Sequence, residues 1–334
     1  LKKQEKHDKK AARLAGNAAQ TQACGAPHVS FEIRLGEVSE LPSIPVISNI
    51  HHSFAQFALQ SANYKCMGST VRALRFIECI IETIKASNHT QSSECVGLVE
   101  ENVKMLEKAR HITVGMNNIN KFIFLKNQCI ADTVDTAQKI AMGIIGSQDE
   151  IVTSMVEEYE YIKDGAVVLT ANYSTLLLNV FKKAQLKGFD FRVIVVETSI
   201  FKEGAYFARM LGELGINTTY ILPSSLQAVL NGVTRVILSA SSMDGKGSMY
   251  TRAGTAPIAL IAHNKHIPVI VCCETYKMTD EITKNEFELC RLGKNVTMYD
   301  EIPHEFITVV VTEFGRVPAT AIPAVVREQR WDSK

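Results

Sequence analysis

Two short apolar runs, residues 235–240 (RVILSA) and 268–273 (PVIVCC), stand about thirty residues apart and limit this chain more than any other feature. Unbroken apolar and β-branched runs without alternation are how strands covered on both faces read. Residues 241–249 are small and polar and include Gly245 and Gly247, so they cannot prolong the first strand. Residues 251–265 are rich in Ala, Ile and Leu and suit a helix with Pro257 in its first turn. Strand, loop, helix, strand is a βαβ unit. It sets the loop after its first strand at the carboxyl edge of a parallel sheet, where open α/β folds bind ligands. An active site, were there one, would fall within residues 241–252.

The same alternation extends on both sides. Further strand-like runs lie at 166–171, 192–197, 218–222 and 306–312, with helix-capable stretches at 174–187, 202–214 and 224–230. The expected fold class is therefore α/β, with a Rossmann-like, doubly wound, mostly parallel sheet domain over residues 164–334. Upstream the period changes. Val71, Leu74, Ile77, Ile80, Ile81 and Ile84 recur at spacings of three and four, one stripe of a helix over 69–86 that starts behind Gly68 and Ser69. Similar spacing begins at 52 and covers 96–110, 117–127 and 130–161, the last with a break expected near Gly143 and Gly146. Residues 44–163 thus read as an N-terminal helical bundle domain. Residues 1–43 read as a basic tail and linker, poorly ordered. The first 13 residues hold six basic and two acidic side chains, either a solvated tail or an arm for RNA or an acidic partner. Residues 279–300 read as an excursion with a helical piece. After the last strand, Pro318 and Pro323 favour an extended path.

Net charge is +1 over 334 residues, which leaves no overall field for nucleic acid or a membrane surface. No apolar run approaches the roughly 20 residues of a membrane span, and LKKQEKHDKK lacks the apolar core of a secretory signal. The eight cysteines show no metal-ligand spacing. Cys272 and Cys273 fall in an apolar strand, where thiols pack as small hydrophobes, and a reduced, cytoplasmic setting is expected. His263 and His266 lack a third ligand nearby in sequence, so neither a metal nor another cofactor is expected. The turn after the first strand, TANYS at 170–174, is neither GxGxxG nor a P-loop. Asp244-Gly245-Lys246-Gly247 is either an anion-binding nest or a tight surface turn. Glu274, just past a strand, is either a general base or a carboxylate capping a loop. Arg252 and Lys277 fall near the same edge, where a salt bridge would occupy either.

Three segments together carry a family resemblance: VETSIFKEGAYFARMLGELGINTTYI, RVILSASSMDGKGSMYTRAGTAPIALIA and IPVIVCCETYK. They resemble the regulatory subunits of eukaryotic translation initiation factor 2B and their enzyme relatives, the methylthioribose-1-phosphate and ribose-1,5-bisphosphate isomerases. The run Cys272-Cys273-Glu274-Thr275-Tyr276-Lys277, the run Thr312-Glu313-Phe314-Gly315 and the later Ile322-Pro323 resemble the delta branch. Weaker matches lie in Met67-Gly68-Ser69-Thr70-Val71-Arg72 and in the stretch from His111 to Asn117. The resemblance covers about residues 45–328.

The isomerases of this family place an Asp at the end of a VGADRI-type strand, and Ser241 stands at that place here. Asn172 stands at the Cys of their LTHCN-type turn, Met67 at the Arg of their RGA-type turn, and Thr251-Arg252 at their Asn-Lys. A serine hydroxyl does not titrate near neutral pH, and an amide carries neither a thiolate nor an acid proton. The resemblance therefore implies an isomerase fold without isomerase chemistry, a vestigial pocket lined by Met67, Gly68, Asn172, Ser241, Thr251 and Arg252. It implies a regulatory subunit of the guanine nucleotide exchange factor for initiation factor 2, with beta, alpha, gamma and epsilon subunits as partners. It would sense phosphorylation of that factor's alpha subunit, where one serine gains about two negative charges. The alternative is a sugar-phosphate isomerase or sugar-phosphate sensor. Subunit pairing is expected through Arg252, Tyr276, Lys277, Val296, Met298 and Tyr299. The docking face for the phosphorylated factor is expected on exposed basic residues of the helical half, Arg72, Arg75 and Lys121. An isolated chain could pair with itself; neither a membrane nor direct nucleic-acid binding is expected.

Overall fold

Residues 50–66, 68–87, 92–125, 129–282, 291–293 and 296–332 are described by a computed structural model. The tail expected over 1–43, Met67 and much of the helical piece expected within 279–300 lie outside the described residues.

The helical half consists of α1 (His52–Ala62), α2 (Ser69–Ala86), α3 (Ser92–Ala109), α4 (Val114–Phe124) and α5 (Ile130–Thr153). Each turns one apolar stripe inward. Phe54, Phe57, Phe76, Ile77, Ile80 and Leu106 are among the residues of one sealed cluster. Val71 leaves the expected stripe: it is 47% exposed, at the first turn of α2. Helix α5 does not break at Gly143 or Gly146, whose positions face solvent. A helical glycine costs only about 1 kcal/mol, and the buried Ala137, Ile144 and Ile151 hold the helix straight through. It runs on into a π-helical turn, Ser154–Glu158.

The sheet follows the alternating pattern. Its strands are β1 (Val167–Ala171), β2 (Arg192–Val196), β3 (Asn217–Ile221), β4 (Arg235–Ser239), β7 (Val269–Cys272), β11 (Val309–Thr312) and β12 (Gly315–Val317). They lie in the order β12-β11-β7-β4-β1-β2-β3, parallel apart from the antiparallel edge strand β12. Successive strand residues serve opposite cores. Val168, Val193 and Val195 join α6 (Thr175–Leu186) and α7 (Glu203–Glu213) on one face. Leu169, Ile194 and Val196 join α9 (Ala256–Asn264) on the other, after a short helix α8 (Leu226–Val229).

Three local expectations are corrected. Residues 241–252 are not one loop: β5 (Ser242–Met243) and β6 (Met249–Arg252) form a hairpin that β10 (Tyr299–Ile302) extends to a three-stranded antiparallel sheet. A two-stranded ribbon of β8 (Arg291–Gly293) and β9 (Val296–Thr297) precedes β10. The hairpin turn is not a surface turn. Asp244 is fully buried and accepts the amides of Lys246 and Ser248 at 2.9 Å each, while Gly245 and Gly247 press on the backbone of Asp280 and Ala319 where a Cβ would overlap. Those amides are spoken for, so the turn offers no anion nest. The end of the chain is not extended: α10 (Ile322–Asp332) begins with Pro323 in its first turn, where proline's missing N–H is no loss. Its Ile322 and Val326 pack on the sheet.

A cleft between the helices and the sheet

The loops at the carboxyl ends of β1, β2 and β4 open onto a cavity of about 850 Å³, roofed by the start of α2 and the end of α1. The structure brings Gly68, Asn172, Ser241, Thr251 and Arg252 together around it. Met67 lies outside the described residues. Asn172 is 3% exposed and holds left-handed backbone geometry with φ 57°. Its side-chain amide donates to Thr198 Oγ1 at 2.7 Å. Ser241 donates its backbone N–H to Tyr250 across the hairpin, and Thr251 Oγ1 donates to the Ser239 carbonyl. Arg252 makes a paired contact with Glu203, Nε to Oε2 at 3.0 Å and Nη2 to Oε1 at 3.1 Å, and lies over the Tyr299 ring. Burial works to lower its pKa, but Tyr299 and Glu203 outweigh it and the guanidinium is held charged.

Three helices start at this cavity: α2 behind Gly68, α6 behind Ser174 and α7 behind Lys202. Gly68 gives α2 no side-chain cap, whereas at the start of α7 the Glu197 carboxylate accepts the amides of Gly204 and Ala205. Unpaired amides and the helix dipole favour negative charge at the start of α2, and Lys65, Arg75 and Lys202 add basic lining. Among the groups suited to proton transfer that line the cavity are Cys66, Glu203 and the ion-paired Lys277. Burial pushes the Cys66 thiol up, away from the reactive thiolate, although nearby arginines pull the other way. Both Glu203 oxygens are taken by Arg252.

Lys65, Cys66, Lys202, Glu203 and Tyr206 line the cavity without a sequence motif having pointed to them. Lys202 and Glu203 follow β2, so the rule that loops after parallel strands share one edge would have found them. The contribution of α1 has no signal in the sequence.

Glu274 is neither a general base facing the cleft nor a simple loop cap. It is fully buried and ion-paired to Lys277, Oε2 to Nζ at 2.6 Å, and it accepts from Gln148 and Thr70 of the helical half. Burial alone would raise its pKa, but Lys277 and the hydrogen bonds lower it overall; Lys277 in turn is raised despite burial.

Several expected surface residues are corrected by their burial. Lys277 is 2% exposed, and Tyr276 packs its ring against Gly115 and gives its carbonyl to Asn118, so neither is free to meet another subunit. Met298 is 7% exposed and pairs backbone with Ala253. Val296 is in β9, its side chain outside the described residues. Arg252 and Tyr299 remain half-buried. Arg72 is 1% exposed, with Nη2 donating to the His111 carbonyl at 2.7 Å, so it is not a surface cation. Arg75 pairs with Glu78, and Lys121 is exposed on α4.

Delta subunit of translation initiation factor eIF2B from Schizosaccharomyces pombe is 30% identical to this chain over 322 residues, covering 84% of the chain and 69% of that protein. Ribose 1,5-bisphosphate isomerase from Pyrococcus furiosus is 24% identical over 303 residues, covering 82% and 93%. A crystal structure of the tetrameric eIF2B-beta2-delta2 complex from C. thermophilum has a chain that superposes with TM-score 0.70 at 20% identity, covering 82% of this chain and 93% of that one. The sequence profile of the Initiation factor 2 subunit family matches residues 65–319, most of the helical half and nearly all of the sheet, and this chain belongs to that family.

Proposed function

We propose that this chain is a non-catalytic regulatory and scaffold subunit of the cytoplasmic guanine nucleotide exchange factor for translation initiation factor 2, most similar in role to a delta subunit. The content of the cleft carries the reading. Where the family resemblance puts the isomerases' acid and thiol, this chain has Ser241 and Asn172, the latter tied to Thr198. Glu203 is fixed by Arg252, and the Cys66 thiol is kept protonated by burial. General acid–base chemistry on a sugar needs a group that exchanges protons near neutral pH within reach of the substrate, and among the described lining residues none of Ser241, Asn172, Glu203, Cys66 and the ion-paired Lys277 combines those properties. The sequence likeness to an eIF2B delta subunit supports the same reading.

The other subunits, beta first, would pair across the small sheet, where Arg252 and Tyr299 stay half-buried. The phosphorylated alpha subunit of the initiation factor would dock on the helical half, with Arg75 and Lys121 as its cations. Purified chain should give no turnover of ribose 1,5-bisphosphate and should co-purify with a beta subunit. Turnover abolished by Ser241→Ala or Asn172→Ala would falsify the scaffold role. Lys121→Glu should weaken binding of the phosphorylated partner and spare the unphosphorylated one.

A second reading rests on the uncapped start of α2 and the basic lining of the cleft: a sugar-phosphate sensor that binds without turnover. A thermal shift with ribose 1,5-bisphosphate, lost in Lys202→Gln, would support it; no shift at about 100 times the micromolar range of ordinary metabolite sites would end it.

A further inference from the structure

The amino-terminal end of the sheet, away from the cleft, has a cavity of its own, about 480 Å³. It lies where β4, β7 and β11 begin, under Tyr161 of the connection that follows the π-helical turn. Ile270, Val309 and Val317 give it an apolar wall; Arg235 and Arg316 give it two guanidiniums; among the described residues that line it none is acidic. Both arginines are fixed by the same residue. Arg235 Nη1 donates to the Tyr161 carbonyl at 2.6 Å, and Arg316 bonds to the Tyr161 side chain while lying 4.2 Å from the centre of the Tyr159 ring.

One tyrosine thus fixes two guanidiniums at one cavity, by its carbonyl and by its side chain, where a cation is ordinarily paired with a carboxylate. Among the described residues neither has one, whereas Arg252, Arg75 and Arg209 are paired with Glu203, Glu78 and Glu213. Arg235 Nε is also buried without a hydrogen-bond partner among the described residues. Leaving a buried donor of a charged group unmade is costly, and such a group in a native fold calls for a missing acceptor. Burial lowers the Arg235 pKa, as it does for a cation lacking a counter-charge.

We propose that this cavity is a binding site for a small organic phosphate, the phosphate held between Arg235 and Arg316 and the apolar body against Ile270, Val309 and Val317. A phosphate monoester brings about two negative charges and enough oxygens for two planar forks. A carboxylate brings one charge and would leave a guanidinium uncompensated. The volume is within the common range for small-molecule sites. The site is independent of the carboxyl-edge cleft, and it stands whether or not the scaffold role does.

Phenyl phosphate is the probe, titrated into the whole chain by calorimetry, with benzoate as the carboxylate counterpart. Saturable binding of phenyl phosphate is expected, weakened at least about tenfold in Arg316→Gln and in Arg235→Gln, unchanged in Lys65→Gln of the other cleft. Benzoate should bind at least about tenfold more weakly. Arg316 is exposed, so its variant keeps the fold and decides the matter if Arg235→Gln does not fold. No saturable binding up to about 10 mM would overturn the proposal. So would binding that survives Arg316→Gln, loss that follows Lys65→Gln instead, or equal affinity for benzoate.

Discussion

Glu274 and Lys277 are both sealed from solvent and both stay charged, because each supplies what the other loses on leaving water. Removing one member of such a pair strands the other. Lys277→Met is expected to destabilise the chain by about 3–5 kcal/mol in urea unfolding. The pH dependence has a definite sign. The folded Glu274 pKa lies below its ordinary 4.5, so its contribution is complete above that pH and is lost as pH falls through the lowered value. Lys277 is raised above its ordinary 10.5, so its contribution is complete below that pH and fades only as pH rises through the raised value. Stability from the pair should therefore be level between about pH 4.5 and 10.5 and drop on the acid side. Glu274→Gln should lack that part of the acid drop; an unchanged acid limb in the variant would show that the pair contributes nothing to it.

Helix α4 meets the loop after β7 at one point of close approach. A Cβ on Gly115 would lie 2.8 Å from Tyr276 Cε2 and 3.0 Å from Cδ2, and Asn118 one turn on donates to the carbonyls of Tyr276 and Met278. Gly115→Val should push helix and loop apart and lower stability by about 1–3 kcal/mol, the usual range for overpacking. Asn117→Ala on the exposed side of the same helix should leave the unfolding midpoint unchanged. That contact was not legible in the sequence, whereas the elements on either side of it were. The spacing around Ile77, Ile80 and Ile84 and the apolar runs at β1, β2, β4 and β7 gave their helix and strands nearly to the residue, because burial imposes the period. The strands β5 and β6 were missed because Asp244 and the glycines read as loop; what makes them strands is the pairing of Met249 with Ile302, distant in sequence. Helix α10 is hidden in the sequence because Pro323 reads as a breaker, although a first-turn proline is harmless. Asn172 and Ser241 could be placed near one cleft because each follows a parallel strand; Arg252 instead ends an antiparallel strand of the hairpin that leaves β4. The burial of Arg72 could not: a basic residue on an apolar helix says nothing of the His111 carbonyl that receives it.

The helical half and the sheet share more than a border. Helix α5 puts Ala137 and Ile144 in the helical core and Ile151 in a core of the sheet, and Thr70 and Gln148 reach across to Glu274. Division at residue 163 into two independently stable domains is therefore not expected. Heating should give one transition, with far-ultraviolet dichroism and tyrosine fluorescence coincident. Two separated transitions would mean that the α5 bridge and the Glu274 contacts are too weak to couple the halves.

That coupling runs through a charge pair with no water around it. Dissolved ions screen exposed attractions within about 8–10 Å but act far less on charges they cannot approach. Raising the ionic strength should therefore loosen contacts made by surface side chains such as Lys121 while the junction between helices and sheet holds. Sodium chloride then becomes a means of parting this chain from its neighbours without unfolding it.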